Sequence, residues 1–175
     1  QSHQLGDKEV WLDSNYVYIK YKQSFIIELS RNMRHKIFKD MIVCPDKIVA
    51  VGDDVWGLRF PKLPILSEMG ISENQKRDVA RVWRNFEEGL YRLYQETHMW
   101  HNDIGPNNIA FVEDHNTVKL KLIDLDSFYG HTFDDILASN FYAITLQTMR
   151  DKMNAFVDGS VTTSDNLTHM KPLRF

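Results

Sequence analysis

At 175 residues, 43% hydrophobic and 26% charged, the chain has enough apolar material for one domain or two small lobes, which excludes wholesale disorder. A formal net charge of −3, with both signs interspersed, leaves no basic footprint for nucleic acid and no polybasic membrane patch. The lone Cys44 excludes an intrachain disulfide and a thiol-rich metal site, and it fits a reducing compartment.

The opening QSHQLGDKEV has no signal-peptide core, and no later apolar run reaches transmembrane length, so the chain reads as soluble and cytoplasmic. It does not start with Met, and Gln1 to His3 read as remnants of processing or trimming. Val10–Leu12 and Tyr16–Tyr21 flank Asp13-Ser14-Asn15, which predicts a hairpin. Ser24 is placed to cap a helix running to about Lys39, with Ile27, Met33, Ile37 and Phe38 on its apolar side. Cys44-Pro45-Asp46 ends it. Ile48–Val51 and Val55–Phe60 then form a second hairpin turning at Gly52-Asp53-Asp54, closed by Pro61 and Pro64.

From about Ser72 to His98 the residues Val79, Val82, Trp83, Phe86, Leu90, Leu93 and Tyr94 recur at helical spacing. A third hairpin, Ile109–Val112 and Val118–Ile123, turns around Asp114-His115-Asn116, and a last helix runs from Ile136 to about Phe156. The tail from Val157 is rich in Thr, Ser and Asp, with Leu167, Met170, Leu173 and Phe175 as its only anchors. The order predicts an α+β chain with a sheet-rich front (residues 1–62) and a helical back (residues 63–175).

Between the long helix and the third hairpin lies His101-Asn102-Asp103-Ile104-Gly105-Pro106-Asn107-Asn108. Asp103 precedes Asn108 by five positions, and a loop of that length can aim the carboxylate at a hydroxyl and turn the amide oxygen onto a metal ion. Asp124 leaves the end of a buried strand, well placed to bind Mg²⁺ beside Asn108. A blander reading makes Asp103 and Asn108 turn formers. His98, His101 and Asp103 are also spaced as metal ligands, although His101 reads better as a structural brace for the loop.

The string HNDIGPNN resembles the protein-kinase catalytic loop H-R-D-x-x-x-x-N, and Asp124-Leu125-Asp126 resembles the metal-binding D-F-G. Val17-Tyr18-Ile19-Lys20 resembles the kinase V-A-I-K strand. The resemblance, over roughly residues 5 to 150, is closest to the minimal kinases that bacterial pathogens secrete as effectors. It implies a two-lobed protein-kinase-like fold with a reduced first lobe and a shortened helical second lobe. It also implies ATP and Mg²⁺ as cofactors and transfer of the γ-phosphate to a Ser or Thr hydroxyl of a protein. Asp103 would be the catalytic base, Asn108 and Asp124 the metal ligands, and Lys20 the phosphate-contacting lysine, held by Glu28 on the following helix. Phe60–Leu63 would meet adenine, and Asn140 in the last helix would brace the loop. The implied setting is the host-cell cytosol, the chain acting as a monomer on a host protein that also activates it.

Departures from the pattern keep other readings open. Gly6 is the sole glycine before Lys20, so no G-x-G-x-x-G lid is present; Asn102 replaces the loop arginine and Gly105 the loop lysine usual in Ser/Thr kinases; no A-P-E follows. Two alternatives stand beside the active kinase: a catalytically dead module that binds proteins, and a small-molecule phosphotransferase whose loop also runs H-x-D-x-x-x-x-N.

Overall fold

The alternation ahead of residue 62 becomes a five-stranded antiparallel sheet in the computed structural model, which describes residues 2–5, 8–125, 128–130 and 135–158. Over the described residues the chain is mixed α and β, with small sheets and four α-helices, and it divides into two compact units, residues 1–63 and 64–175.

In the first unit the strands are β1 (Ser2–Leu5), β2 (Lys8–Leu12), β3 (Tyr16–Lys22), β4 (Lys47–Gly52) and β5 (Val55–Pro61), in the order β1-β2-β3-β5-β4. The β2–β3 turn forms because Asp13 Oδ1 accepts from the backbone N–H of Asn15 at 2.8 Å and of Tyr16 at 2.7 Å. Edge strand β1 was not expected; Ser-His-Gln-Leu lacks the alternation that marks a half-buried strand. Gly6 lies outside the described residues.

The helix expected from Ser24 to Lys39 is two helices, α1 (Gln23–Asn32) and α2 (Lys36–Met41). One continuous helix at 100° per residue would carry Phe38 about 120° around from Ile26. The break at residues 33–35 lets Ile26, Leu29, Ile37, Phe38 and Met41 all be buried. Their counterparts in the sheet are Val10, Tyr21, Leu58 and Phe60, also buried. Register decides this: Ile19 pairs with both Val10 and Leu58, and Val17 with Phe60, so odd-numbered β3 positions share the core face. Even-numbered positions take the other face.

The second unit is built on α3 (Glu73–Thr97). Ser72 caps it in a reciprocal box: its hydroxyl accepts from Gln75 N–H, and the Gln75 side chain accepts from Ser72 N–H. Val79, Trp83, Phe86, Leu90 and Leu93 are buried, the face that the spacing predicts. Strands β7 (Ile109–Asp114) and β8 (Thr117–Leu122) form the third hairpin; His115 and Asn116 both take positive φ (46° and 68°), as a two-residue turn matched to strand twist requires. A further short pair, β6 (Met99–His101) with β9 (Phe128–Gly130), was not expected. It fastens the start of the 101–108 loop to a strand beyond residue 125 through Trp100↔Tyr129 and His101↔Phe128. The last helix, α4, spans Asp135–Asp158. Asp126 and the tail residues 159–175, including the proposed anchors from Leu167 to Phe175, lie outside the described residues.

Helices α3 and α4 are joined by a bidentate pair: Arg150 Nε to Glu87 Oε1 and Arg150 Nη2 to Glu87 Oε2, both 2.8 Å, with Trp83 Nε1 donating to Glu87 Oε1 at 2.9 Å. Burial alone would raise the Glu87 carboxyl, but hydrogen bonds from Arg150 and Trp83 and the Arg150 charge outweigh it, leaving the net shift below the ordinary 4.5. A carboxyl depressed on folding stabilises above its unfolded pKa, and that contribution is lost as pH falls through the folded value. Urea melts between about pH 6 and pH 3 should therefore show wild type losing more stability on acidification than Glu87→Gln. At neutral pH, Arg150→Met should cost about 1.5–3 kcal/mol, since it strands a half-buried carboxylate.

Candidate functional site

The segment after α3 is a loop because His98 ends the helix in the left-handed region (φ 57°), and Pro106 then starts a short 3₁₀ turn, Pro106–Asn108. Within it His101 is 1% exposed and uses both ring nitrogens. The Asp103 backbone N–H donates to Nδ1 at 3.0 Å, so Nδ1 is unprotonated; Nε2 therefore carries the proton and donates to the Ile123 carbonyl at 2.8 Å. Burial holds the imidazole below its ordinary 6.5, against the pull of the Ile123 carbonyl and the carboxylates of Asp124 and Asp103. A neutral ring with both nitrogens engaged is a brace, and the reading of His98, His101 and Asp103 as a metal set fails on that geometry. Among the described residues no cluster of three or more His, Cys, Asp or Glu side chains could hold a metal.

Asn108 is buried, and its Nδ2 donates to the Asp103 carbonyl at 2.9 Å and to Asp103 Oδ2 at 3.2 Å. Two acceptors facing one end of the amide identify that end as NH₂, which leaves Oδ1 as the atom available to a cation. The Asn108 backbone carbonyl accepts from Ile123 N–H at 2.9 Å. Ile123 is thus bonded to both ends of the loop, to His101 through its carbonyl and to Asn108 through its N–H. Asp124 follows immediately, half-buried, at φ 69°, a left-handed conformation that Asp tolerates better than most residues. Asp103, Asn108 and the strand end bearing Asp124 are therefore gathered around one histidine. Mg²⁺ takes oxygen ligands and retains several waters, so one amide oxygen and one carboxylate are a donor set that fits it.

One partner of Asp103 was not anticipated. Lys152 of α4 places Nζ 2.7 Å from Asp103 Oδ1, an ion pair with side chains 36% and 46% exposed, worth on the order of 1 kcal/mol or less to folding. No local pattern signals a contact across 49 positions. Asn140, expected to brace the loop, is exposed; the bracing comes from His101.

The front-half candidates are not brought together. Lys20 sits on the sheet face opposite the core, where its ammonium lies 4.6 Å from the Trp11 ring centroid and its strand partner is Gly57. Glu28 is exposed on α1 and forms no ion pair with it. The structure does not bring Lys20 and Glu28 together, because β-strand alternation sends residue 20 away from the face that buries Tyr21, Ile26 and Leu29. On the Lys20 face lies a hollow of about 400 Å³, lined by Trp11, Lys20, Val49, Val51, Gly57 and Arg59.

Among the described residues no helix is long and apolar enough to cross a membrane. No family model and no curated protein matches the chain. Among solved structures it is similar to WbdD, crystallised with the kinase inhibitor LY294002, at 18% identity and a TM-score of 0.41 over 80% of this chain and 35% of that one. A second structure of WbdD matches at 17% identity and a TM-score of 0.41, over 83% and 36%. The chain spans about a third of the length of these proteins, and a TM-score of 0.41 carries no inference about activity.

Proposed function

We propose that this chain is a minimal phosphotransferase of the protein-kinase-like superfamily, two-lobed, using Mg·ATP to phosphorylate a Ser or Thr hydroxyl of a protein. The observation that carries the reading is the double anchoring of Ile123. Bonded to His101 and to Asn108, it sets the carboxylate-bearing strand end beside the amide and the base of the loop. The bound nucleotide would supply the γ-phosphoryl group, whose bond to ADP breaks as the acceptor oxygen bonds to phosphorus, while the ion neutralises charge on the phosphates.

Asp103 orients the acceptor hydroxyl and takes its proton. Asn108 Oδ1 and the Asp124 carboxylate would hold Mg²⁺, and Asp103 in turn fixes the Asn108 amide through Nδ2. Lys20 stays the candidate cation of the first unit, steadied by Trp11 and not by Glu28, which drops out of the catalytic set. The substrate is a protein, in the effector-like reading a host protein that also activates the enzyme in the host cytosol.

A second reading is a catalytically dead protein-binding module. It is favoured by the unformed Lys20–Glu28 clamp and by Val49 (42% exposed) and Val51 (51% exposed) beside the hollow. Incubating the chain with γ-labelled Mg·ATP and a host-cell lysate separates the possibilities. Labelled protein bands are the expected result. Labelled metabolites would move the assignment to a small-molecule phosphotransferase, and no label above background would favour the binding module.

A further inference from the structure

Both oxygens of the Asp103 carboxylate are held, Oδ2 by Asn108 from within the loop and Oδ1 by Lys152 from a distant helix. The lysine reaches its place across Gly105. A Cβ at that position would stand 3.0 Å from Lys152 Cδ and 3.7 Å from Lys152 Cβ, and 3.2 Å from Asn107 Oδ1. Gly105 has extended backbone (φ −167°) that any residue adopts, so its value here is the space it leaves. Helix α4 is itself fixed around this point: Asp151 and Met153 are buried, and Arg150 is pinned to Glu87. A solvent-screened pair adds little to folding, which leaves the convergence of helix, glycine and lysine on the base without a purpose in stability.

We propose that Lys152 is the cation that meets the terminal phosphoryl group at the transfer site, contributed by the last helix through the gap at Gly105 and selecting a nucleoside triphosphate over a diphosphate. This rests on the phosphotransferase reading. A general base lies within hydrogen-bond reach of the attacking hydroxyl. An ammonium 2.7 Å from that base is therefore within side-chain reach of the group under attack, where a preorganised cation is most effective. The terminal phosphoryl group of a triphosphate meets it; a diphosphate ends short of it.

Calorimetric titration of the whole chain with Mg·ATP and with Mg·ADP, under conditions without turnover, tests this. Lys152→Met should weaken Mg·ATP about tenfold or more and leave Mg·ADP unchanged, and Lys152→Arg should recover part of the loss. Moving the charge, in the double variant Gly105→Lys with Lys152→Ala, should restore the preference for the triphosphate. Gly105→Leu, which displaces the lysine while leaving α4 intact, should reproduce Lys152→Met and serves if the latter folds poorly. Equal loss for both nucleotides, or loss for neither, overturns the role of Lys152 alone. If the unmodified chain binds neither nucleotide, the phosphotransferase reading fails and the lysine's role fails with it.

Discussion

Asp124→Asn is expected to abolish Mg²⁺-dependent nucleotide binding and to lower phosphoryl transfer by on the order of 10³-fold or more, with the fold intact. Asn is the informative replacement because residue 124 has φ 69°, which Asn adopts at least as readily as Asp. Ala there would add backbone strain of about 1 kcal/mol and confuse lost chemistry with lost stability. The core beside the site is supplied by Leu122 (0% exposed) and Leu125 (4%), so a half-buried side chain between them can change charge without unpacking it. The paired measurement is a thermal melt with a Mg·ATP titration. An unchanged melt with no metal-dependent binding supports the assignment. Binding and transfer at wild-type level in this variant would end it.

Local chemistry made much of this legible. Turn residues at Asp13–Asn15, Gly52–Asp54 and Asp114–Asn116 mark three hairpins because Asp, Asn and Gly accept conformations that β-branched neighbours resist. The α3 core face was readable from its 3.6-residue period. Asp103 and Asn108 were readable because both lie in one loop, where spacing translates directly into geometry. Lys152 was not, because an ion pair joining residues 103 and 152 leaves no trace in either neighbourhood. The missing Lys20–Glu28 pair has a different origin. Val17, Ile19 and Tyr21 are apolar at odd positions, so alternation along the strand turns Lys20 to the face opposite α1, which carries Glu28. The split between α1 and α2 was hidden because a single helix was expected to carry Ile27 with Met33, Ile37 and Phe38 on its apolar side; Ile27 is instead 48% exposed, and Ile26 and Leu29 are buried with Ile37 and Phe38.

His101→Phe carries the second large effect and tests the brace apart from the chemistry. Phe retains ring volume at a 1% exposed position but leaves the Asp103 N–H and the Ile123 carbonyl without their partner, at a cost of about 2–4 kcal/mol for the two groups together. Turnover should fall by two orders of magnitude or more, about the share general-base positioning supplies, because Asp103 loses the contact that orients its backbone. The sign of the pH effect is fixed by the same ring. Its folded pKa is lowered, so the unfolded chain takes the proton first; stability is full above the ordinary 6.5 and drains as pH falls towards the folded value. At that lower value Nδ1 becomes protonated while facing the Asp103 N–H, so two donors oppose each other and the Asp103 backbone is released from the ring, while Nε2–H still donates to the Ile123 carbonyl. Wild type should therefore lose urea stability as pH falls below about 6.5, with faster amide exchange at Asp103, and the Phe variant should lack this acid-linked loss. Parallel pH dependence in the two proteins would mean that His101 merely fills space, and Asp103 would then need another source of order.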